Sequence, residues 1–203
     1  GERMGARIPG TGSHIPTKCL TNADLERIVD TSEEWIVQRT GIRTRHILRE
    51  TDVPSDMSVD AGAHALRAAG VRPHDVDLLV VATNFPDMIC PGSAPFIAEG
   101  LGLADAPFLD LKAGCSGFVY GLAVADGLIR SRLYRRVLLI GAEALSRVAD
   151  WTDRQTCVLF GDGAGATLLE AGEENEGVLG TALYGDSDKS LLLHMPGGGT
   201  RSP

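Results

Sequence analysis

Four short apolar runs, at residues 78–82, 108–111, 137–140 and 164–169, predict β-strands. Several are almost continuous in Val, Leu, Ile and Ala rather than alternating, which is the pattern of strands covered on both faces. Stretches with helical spacing lie before and between them, at 22–29, 32–40, 58–69, 93–101 and 116–130, with Asn22, Ser32, Ser58 and Ser93 placed as N-caps. Alternating helices and strands predict an α/β domain built on a largely parallel sheet. The last residues, Pro196-Gly197-Gly198-Gly199-Thr200-Arg201-Ser202-Pro203, read as a flexible connector, so residues 1–195 are expected to form the folded unit and 196–203 a link.

At 203 residues and 43% hydrophobic content the chain can bury a substantial core. A formal charge of −8 argues against a general nucleic-acid surface. Arg130, Arg132, Arg135 and Arg136 form the densest basic cluster, expected to be the solvated C-terminal end of a helix, with docking of an acidic carrier protein as the alternative. No run approaches the roughly 20 apolar residues that span a bilayer, and a signal-peptide layout is not seen, so no membrane role and a cytoplasmic location are expected. The cysteines at 19, 90, 115 and 157 show no CxxC spacing, and neither a metal site nor a redox pair is expected.

Two glycine clusters invite cofactor readings and fail them. Gly10-Thr11-Gly12 has Ile15 where a dinucleotide fingerprint needs its third glycine, and Pro16 follows. Gly161-Asp162-Gly163-Ala164-Gly165 leads into a strand and lacks a Gly-Lys-Ser/Thr ending, so close packing or a tight turn is the expected reason for it. No permanently bound cofactor is expected.

Cys115 is the principal candidate for chemistry. It stands in Ala113-Gly114-Cys115-Ser116-Gly117-Phe118, where an apolar strand gives way to a helix. A thiol there faces unpaired helix N–H groups and a partial positive charge, which favour thiolate and can hold an oxyanion. Taken alone, a small buried apolar cysteine is an equally fair reading.

Three blocks alter that balance. They are Thr21-Asn22-Ala23-Asp24-Leu25-Glu26 running into Asp30-Thr31-Ser32-Glu33-Glu34-Trp35-Ile36-Val37-Gln38-Arg39-Thr40-Gly41-Ile42-Arg43; the Cys115 block; and Asp150-Trp151-Thr152-Asp153-Arg154 followed by Phe160-Gly161-Asp162-Gly163-Ala164-Gly165-Ala166. In order and spacing they resemble the beta-ketoacyl-acyl carrier protein synthase III family, the initiating condensing enzymes of the thiolase superfamily. The resemblance implies a layered αβαβα fold of which this chain supplies the N-terminal half, with Cys115 as acyl-accepting nucleophile. It implies that Trp35, Arg39 and Arg154, with Thr31 as a weaker candidate, hold coenzyme A. An indole face and guanidinium planes suit an adenine, and arginine suits phosphate.

Cys90, Leu145 and Phe160 fall where the family lines its acyl pocket. Cys90 stands where well-known members carry a bulky phenylalanine that reaches across a dimer, so room for primers longer than acetyl is expected. The reaction implied is acylation of Cys115 by acyl-CoA, then decarboxylative condensation with malonyl-acyl carrier protein. In the family the second stage uses a histidine and an asparagine of the C-terminal half, and none of His14, His46, His64, His74 or His194 matches that histidine. The resemblance also implies a homodimer, with partner contact expected at 84–95. A ketosynthase of polyketide metabolism and a non-catalytic dimerisation half are the alternatives. A cysteine hydrolase is disfavoured, because no local histidine pattern accompanies the thiol. Lys112, three residues before the nucleophile, departs from the small or polar residue expected there.

Overall fold

In a computed structural model, which describes residues 4–103 and 105–202, the apolar runs form one five-stranded sheet in the order β1-β7-β6-β4-β5. The strands are β1 (Met4–His14), β4 (Leu78–Ala82), β5 (Phe108–Leu111), β6 (Arg136–Ala144) and β7 (Asp162–Glu173). A separate antiparallel pair, β2 (Lys18–Thr21) and β3 (Thr44–Ile47), carries the first helices. The helices are α1 (Asn22–Leu25), α2 (Glu33–Thr40), α3 (Pro54–Ala69), α4 (Ala94–Leu101) and α5 (Gly117–Arg130).

The sheet is mixed rather than largely parallel. β4 runs parallel to β5 and β6, while β7 is antiparallel to both β6 and β1. The departure comes from β7, which runs against β6 and is joined on its far side by β1, a strand that Gly5, Pro9, Gly10 and Gly12 leave without an apolar run to announce it. Pro9 lies where the β1–β7 register shifts between Arg7 and Gly10, a place where a missing N–H is tolerated.

Alternation along the central strands sorts side chains to two faces. Leu79, Val81, Leu138, Ile140 and Leu168 meet α3 and α4 through Met57, Ala61, Ala65, Ile97 and Leu101. Leu78, Val80, Val137, Leu139 and Leu169 face the other way and pack on Ala125 and Ile129 of α5. The result is an αβα sandwich. β4 is buried throughout, as its continuous apolar run predicts, but β5 is an edge strand with Phe108 48% exposed and Leu109 38% exposed.

Several expected helix starts move. Thr21, not Asn22, caps α1: its Oγ1 accepts from the Asp24 amide at 3.2 Å, and the Asp24 carboxylate accepts from the Thr21 amide at 3.0 Å. Asn22 turns inward, donating to the Ile42 carbonyl at 2.9 Å and accepting from buried Arg45 at 2.9 Å, and α1 ends at Leu25 rather than 29. α3 begins at Pro54, where a missing N–H costs nothing, so Ser58 lies inside it and donates back to the Pro54 carbonyl. Ser93 precedes α4 but makes no capping bond. The Asp110 carboxylate of β5 instead accepts from the Ser93 and Ala94 amides, each at 3.2 Å. Ser32 caps α2 as expected, accepting from the Trp35 amide at 3.2 Å.

The basic cluster is largely structural. Arg130 pairs with Asp126 and donates to the carbonyls of Met4 and Val178, which clasps to α5 the end of the ribbon where β1 begins and the chain leaves β7; Arg136 pairs with Glu170. Residues 196–202 are almost entirely exposed and carry one isolated bridge, Gly199 to Ser202.

Candidate active site

The parallel strands β4, β5 and β6 end side by side, and in open α/β sheets that edge is where ligands bind. Leaving β5, the chain passes exposed Lys112 and makes a single 3₁₀ turn, Gly114–Ser116, before α5 starts at Gly117. Cys115 is the middle residue of that turn and is exposed, so the buried-apolar alternative is ruled out. Gly114 has φ +60°, a conformation that suits glycine and places the thiol immediately before the amino end of α5. That end has no side-chain cap; the Gly117 amide donates to the Gly114 carbonyl, which joins the turn to the helix.

Two residues unmentioned as site candidates stand behind the turn. Asn84, just past the end of β4, accepts through Oδ1 from the Gly114 amide at 3.1 Å. Its own amide and its Nδ2 both donate to Oε1 of Glu143, each at 2.7 Å, and Thr83 Oγ1 lies 3.5 Å from Oε2. Burial pushes the Glu143 carboxyl above the usual carboxylate range, against the donors from Asn84, Phe85 and Thr83, which pull it back. One sequence signal pointed to it: a lone carboxylate inside the otherwise apolar run Val137 to Ala144.

A second cluster gathers the expected coenzyme A residues. Trp35 projects from α2, and Arg39, one turn later, places its guanidinium 4.7 Å from the indole centroid. Arg154 arrives from the third block, also 4.7 Å from that centroid, and donates to the Asp30 carbonyl at 2.9 Å. Thr31 sits beside the Ser32 cap, and its buried Oγ1 has no hydrogen-bond partner among the described residues. Blocks one and three are therefore joined in space through Trp35. With both guanidiniums resting on the ring, an adenine stacks on the indole only when one of them slides aside.

Of the three expected pocket residues, Leu145 and Phe160 lie on segments held together by buried Asp162. Its carboxylate accepts from the amide and hydroxyl of Ser146 and from the Leu48 amide. Cys90 is on a separate loop, exposed and followed by a cis bond to Pro91. Neither of two surface cavities, of about 490 and 410 Å³, is lined by Cys115: one runs along His74, Asp77 and Tyr134, the other along His14, Arg49 and Asp60. Four of the histidines bond carbonyls or carboxylates: His14 to Asp60, His46 to Pro16, His64 to Ser13 and His194 to Leu191. No group of three or more potential metal ligands occurs among the described residues.

The glycines of the third block do not make a tight turn. Gly163 and Gly165 are in β7, and only Gly161 is closely packed, against Arg45 and His46.

An exposed cysteine at the strand-to-helix junction of a layered α/β sandwich places the chain in the thiolase-like fold class. A family model for 3-oxoacyl-[acyl-carrier-protein (ACP)] synthase III matches residues 109–187. The chain is 48% identical over 202 residues to a beta-ketoacyl-[acyl-carrier-protein] synthase III of Caldanaerobacter subterraneus, covering 100% of this chain and 61% of that protein. It superimposes on the 3-oxoacyl-(acyl carrier protein) synthase III of Pseudomonas aeruginosa with a TM-score of 0.91 and 40% identity, over 98% of this chain and 62% of that one. The priming beta-ketosynthase of the R1128 polyketide pathway gives a TM-score of 0.82 at 38% identity, over 85% of this chain and 52% of that one. The chain is similar to beta-ketoacyl-acyl carrier protein synthases III along nearly its whole length and spans about three fifths of the length of the curated relatives it matches.

Proposed function

We propose that Cys115 takes an acyl group from acyl-CoA and passes it on in a decarboxylative condensation with malonyl-acyl carrier protein, the initiating step of fatty-acid synthesis. The observation that carries this reading is the exposed thiol of Cys115 on its turn at the amino end of α5, in a chain similar to these synthases. Attack of the thiolate on the thioester carbonyl forms the Cys115 S-acyl bond and expels coenzyme A as its thiolate. The positive end of the α5 dipole is placed to favour the oxyanion. Trp35, Arg39, Arg154 and Thr31 bind coenzyme A, the arginines by moving from indole to phosphate.

The condensation stage needs enolate-stabilising groups that these 203 residues do not match; they belong to the C-terminal half of the fold. Cys90, Leu145 and Phe160 line the acyl pocket in this reading, and the small side chain at 90 admits primers longer than acetyl. Residues 1–195 form the folded half and 196–203 its connector. No helix among the described residues is long and apolar enough to cross a membrane, and the free thiols fit a reducing, cytoplasmic setting.

The protein acts as a homodimer, supported by the exposed apolar edge of β5 with Met88 51% and Ile89 83% exposed on the neighbouring loop. Sedimentation as a monomer would contradict it. The superposition on the polyketide priming enzyme favours, as second reading, a priming acyltransferase of secondary metabolism on the same site.

The test is the intact mass of the purified protein before and after incubation with acyl-CoAs from acetyl to octanoyl, with Cys115→Ala as control. A single adduct that disappears in the variant is expected. No adduct on folded protein sinks the acyl-transfer reading, and a strict acetyl preference sinks the assignment of Cys90.

A further inference from the structure

We propose that Asn84 and Glu143 are a positioning pair that holds the Gly114–Ser116 turn, and with it Cys115, against the amino end of α5. The inference rests on Cys115 being the reactive residue. The turn is irregular: Ala113 has φ −143° and ψ 39°, Gly114 is left-handed, and Ser116 lies at ψ 3°. Such a turn has no ladder to fix it, and the Gly114 amide is satisfied from outside, by Asn84 Oδ1.

The orientation of the Asn84 side-chain amide is not free. Nδ2 must face an acceptor and Oδ1 a donor, and Glu143 Oε1 supplies the acceptor while Gly114 supplies the donor. Glu143 also takes the backbone amide of Asn84, so one carboxylate oxygen fixes both the residue and its side chain. The three links span the carboxyl ends of β6, β4 and β5 in order and finish one residue before the nucleophile.

Glu143 alternates along β6 with Leu139 and Val137, the residues that meet α5, and so stands on the α5 side of the sheet. A carboxylate there is half-buried at a cost that burial makes visible in its raised titration. Acyl transfer depends on the sulfur and the positive end of α5 keeping one geometry, and a bonded chain anchored in the sheet provides that. Neither residue touches the acyl group in this arrangement; both act through the turn.

Three variants test the pair: Asn84→Leu, Glu143→Ala and Glu143→Gln. Asn84→Leu strips the Glu143 carboxylate of its side-chain donor, so Glu143→Ala is the companion that leaves no buried charge behind. The Glu143→Gln side chain would keep a carbonyl oxygen for both Asn84 donors and present its NH₂ to the Thr83 hydroxyl. The readout is the rate of Cys115 alkylation by iodoacetamide at neutral pH, located by peptide mass, alongside thermal melting as a control for folding.

In Asn84→Leu and Glu143→Ala the rate of Cys115 alkylation at neutral pH is expected to fall about fivefold, as the sulfur loses its place at the helix end. Acylation by acyl-CoA falls in both by roughly tenfold or more. Glu143→Gln restores both readouts to within about twofold of the unsubstituted protein, because it keeps the hydrogen bonds. An unchanged rate in folded Asn84→Leu or Glu143→Ala overturns the proposal, and so does a Glu143→Gln rate that matches Glu143→Ala. Alkylation does not require acyl-CoA, so lowered rates in a protein that accepts no acyl group leave the pair standing and overturn the acyl-transfer reading instead.

Discussion

Replacing Gly12 by Ala should unseat α3 from β1. An added Cβ at Gly12 would lie 2.2 Å from the Ala61 carbonyl oxygen, 2.4 Å from the Ala65 nitrogen and 2.6 Å from His64 Cβ. The first two are helix backbone, which cannot rotate aside. Restoring ordinary contact near 3.4 Å requires helix and strand to part by about 1 Å, and a gap of that size forfeits about a quarter to a half of each lost contact. α3 supplies Met57, Ala61, Ala65 and Leu66 to the larger core cluster, so the loss spreads along the whole helix. Overpacking of this kind costs about 2–3 kcal/mol. For a chain of this size that corresponds to a fall in melting temperature of roughly 5–10 °C. The control is Gly165→Ala: Gly165 lies in β7 opposite Ser13, the neighbour of Gly12, and an added Cβ there meets nothing within 4 Å. Its effect should stay within about 0.5 kcal/mol. Urea melts of both variants decide the matter, and equal shifts would refute the claim that the glycines of β1 are there to admit α3.

Removing Asp162 by substitution to Ala leaves the Leu48 and Ser146 amides buried without their acceptor, at a cost of about 2–4 kcal/mol by denaturant melting; an unchanged midpoint would show that the segments of Leu145 and Phe160 are held by something else. Trp35→Ala removes the ring on which Arg39 and Arg154 rest, and should raise KM for acyl-CoA roughly tenfold while leaving Cys115 alkylation unchanged. An unaltered KM would remove Trp35 from the coenzyme site. Glu143 gives a pH signature of definite sign. Its carboxyl in the folded protein titrates above its unfolded value, so the native state binds the proton more tightly, and stability is lost as pH rises through the interval between the two. Melts of Glu143→Gln against pH should show that decline flattened, and a decline of equal slope would assign it to another group.

What the sequence disclosed follows from how local each feature is. β4 was legible because five consecutive apolar residues buried on both faces leave a local pattern. β1 was not, because the residues that let it approach α3 and shift register, Gly10, Gly12 and Pro9, are the ones that signal a loop. With β1 unread one edge of the sheet went with it, while the antiparallel setting of β7 against β6 is a matter of chain direction that neither apolar run records. The cap of α4 was placed on Ser93, the local candidate, whereas Asp110 supplies it from another strand seventeen residues away. Local propensity loses wherever a distant carboxylate is better placed.

The site divides along the same line. Cys115, Trp35, Arg39 and Arg154 were singled out because short blocks around them carry a family resemblance, and the fold brings Trp35 and Arg154 into contact across more than a hundred residues of chain. Asn84 and Glu143 carry no such block. Their bonds to one another and to Gly114 bridge 59 and 30 residues, and no periodicity or spacing rule encodes them. They follow from strand order: once β4 lies between β5 and β6, the second residue after β4 falls between the Cys115 turn and the last residues of β6. A single polar residue at each of those two positions then ties the Gly114–Ser116 turn to the middle of the sheet. A carboxylate buried at a cost in an apolar strand is the one trace that arrangement leaves in the sequence.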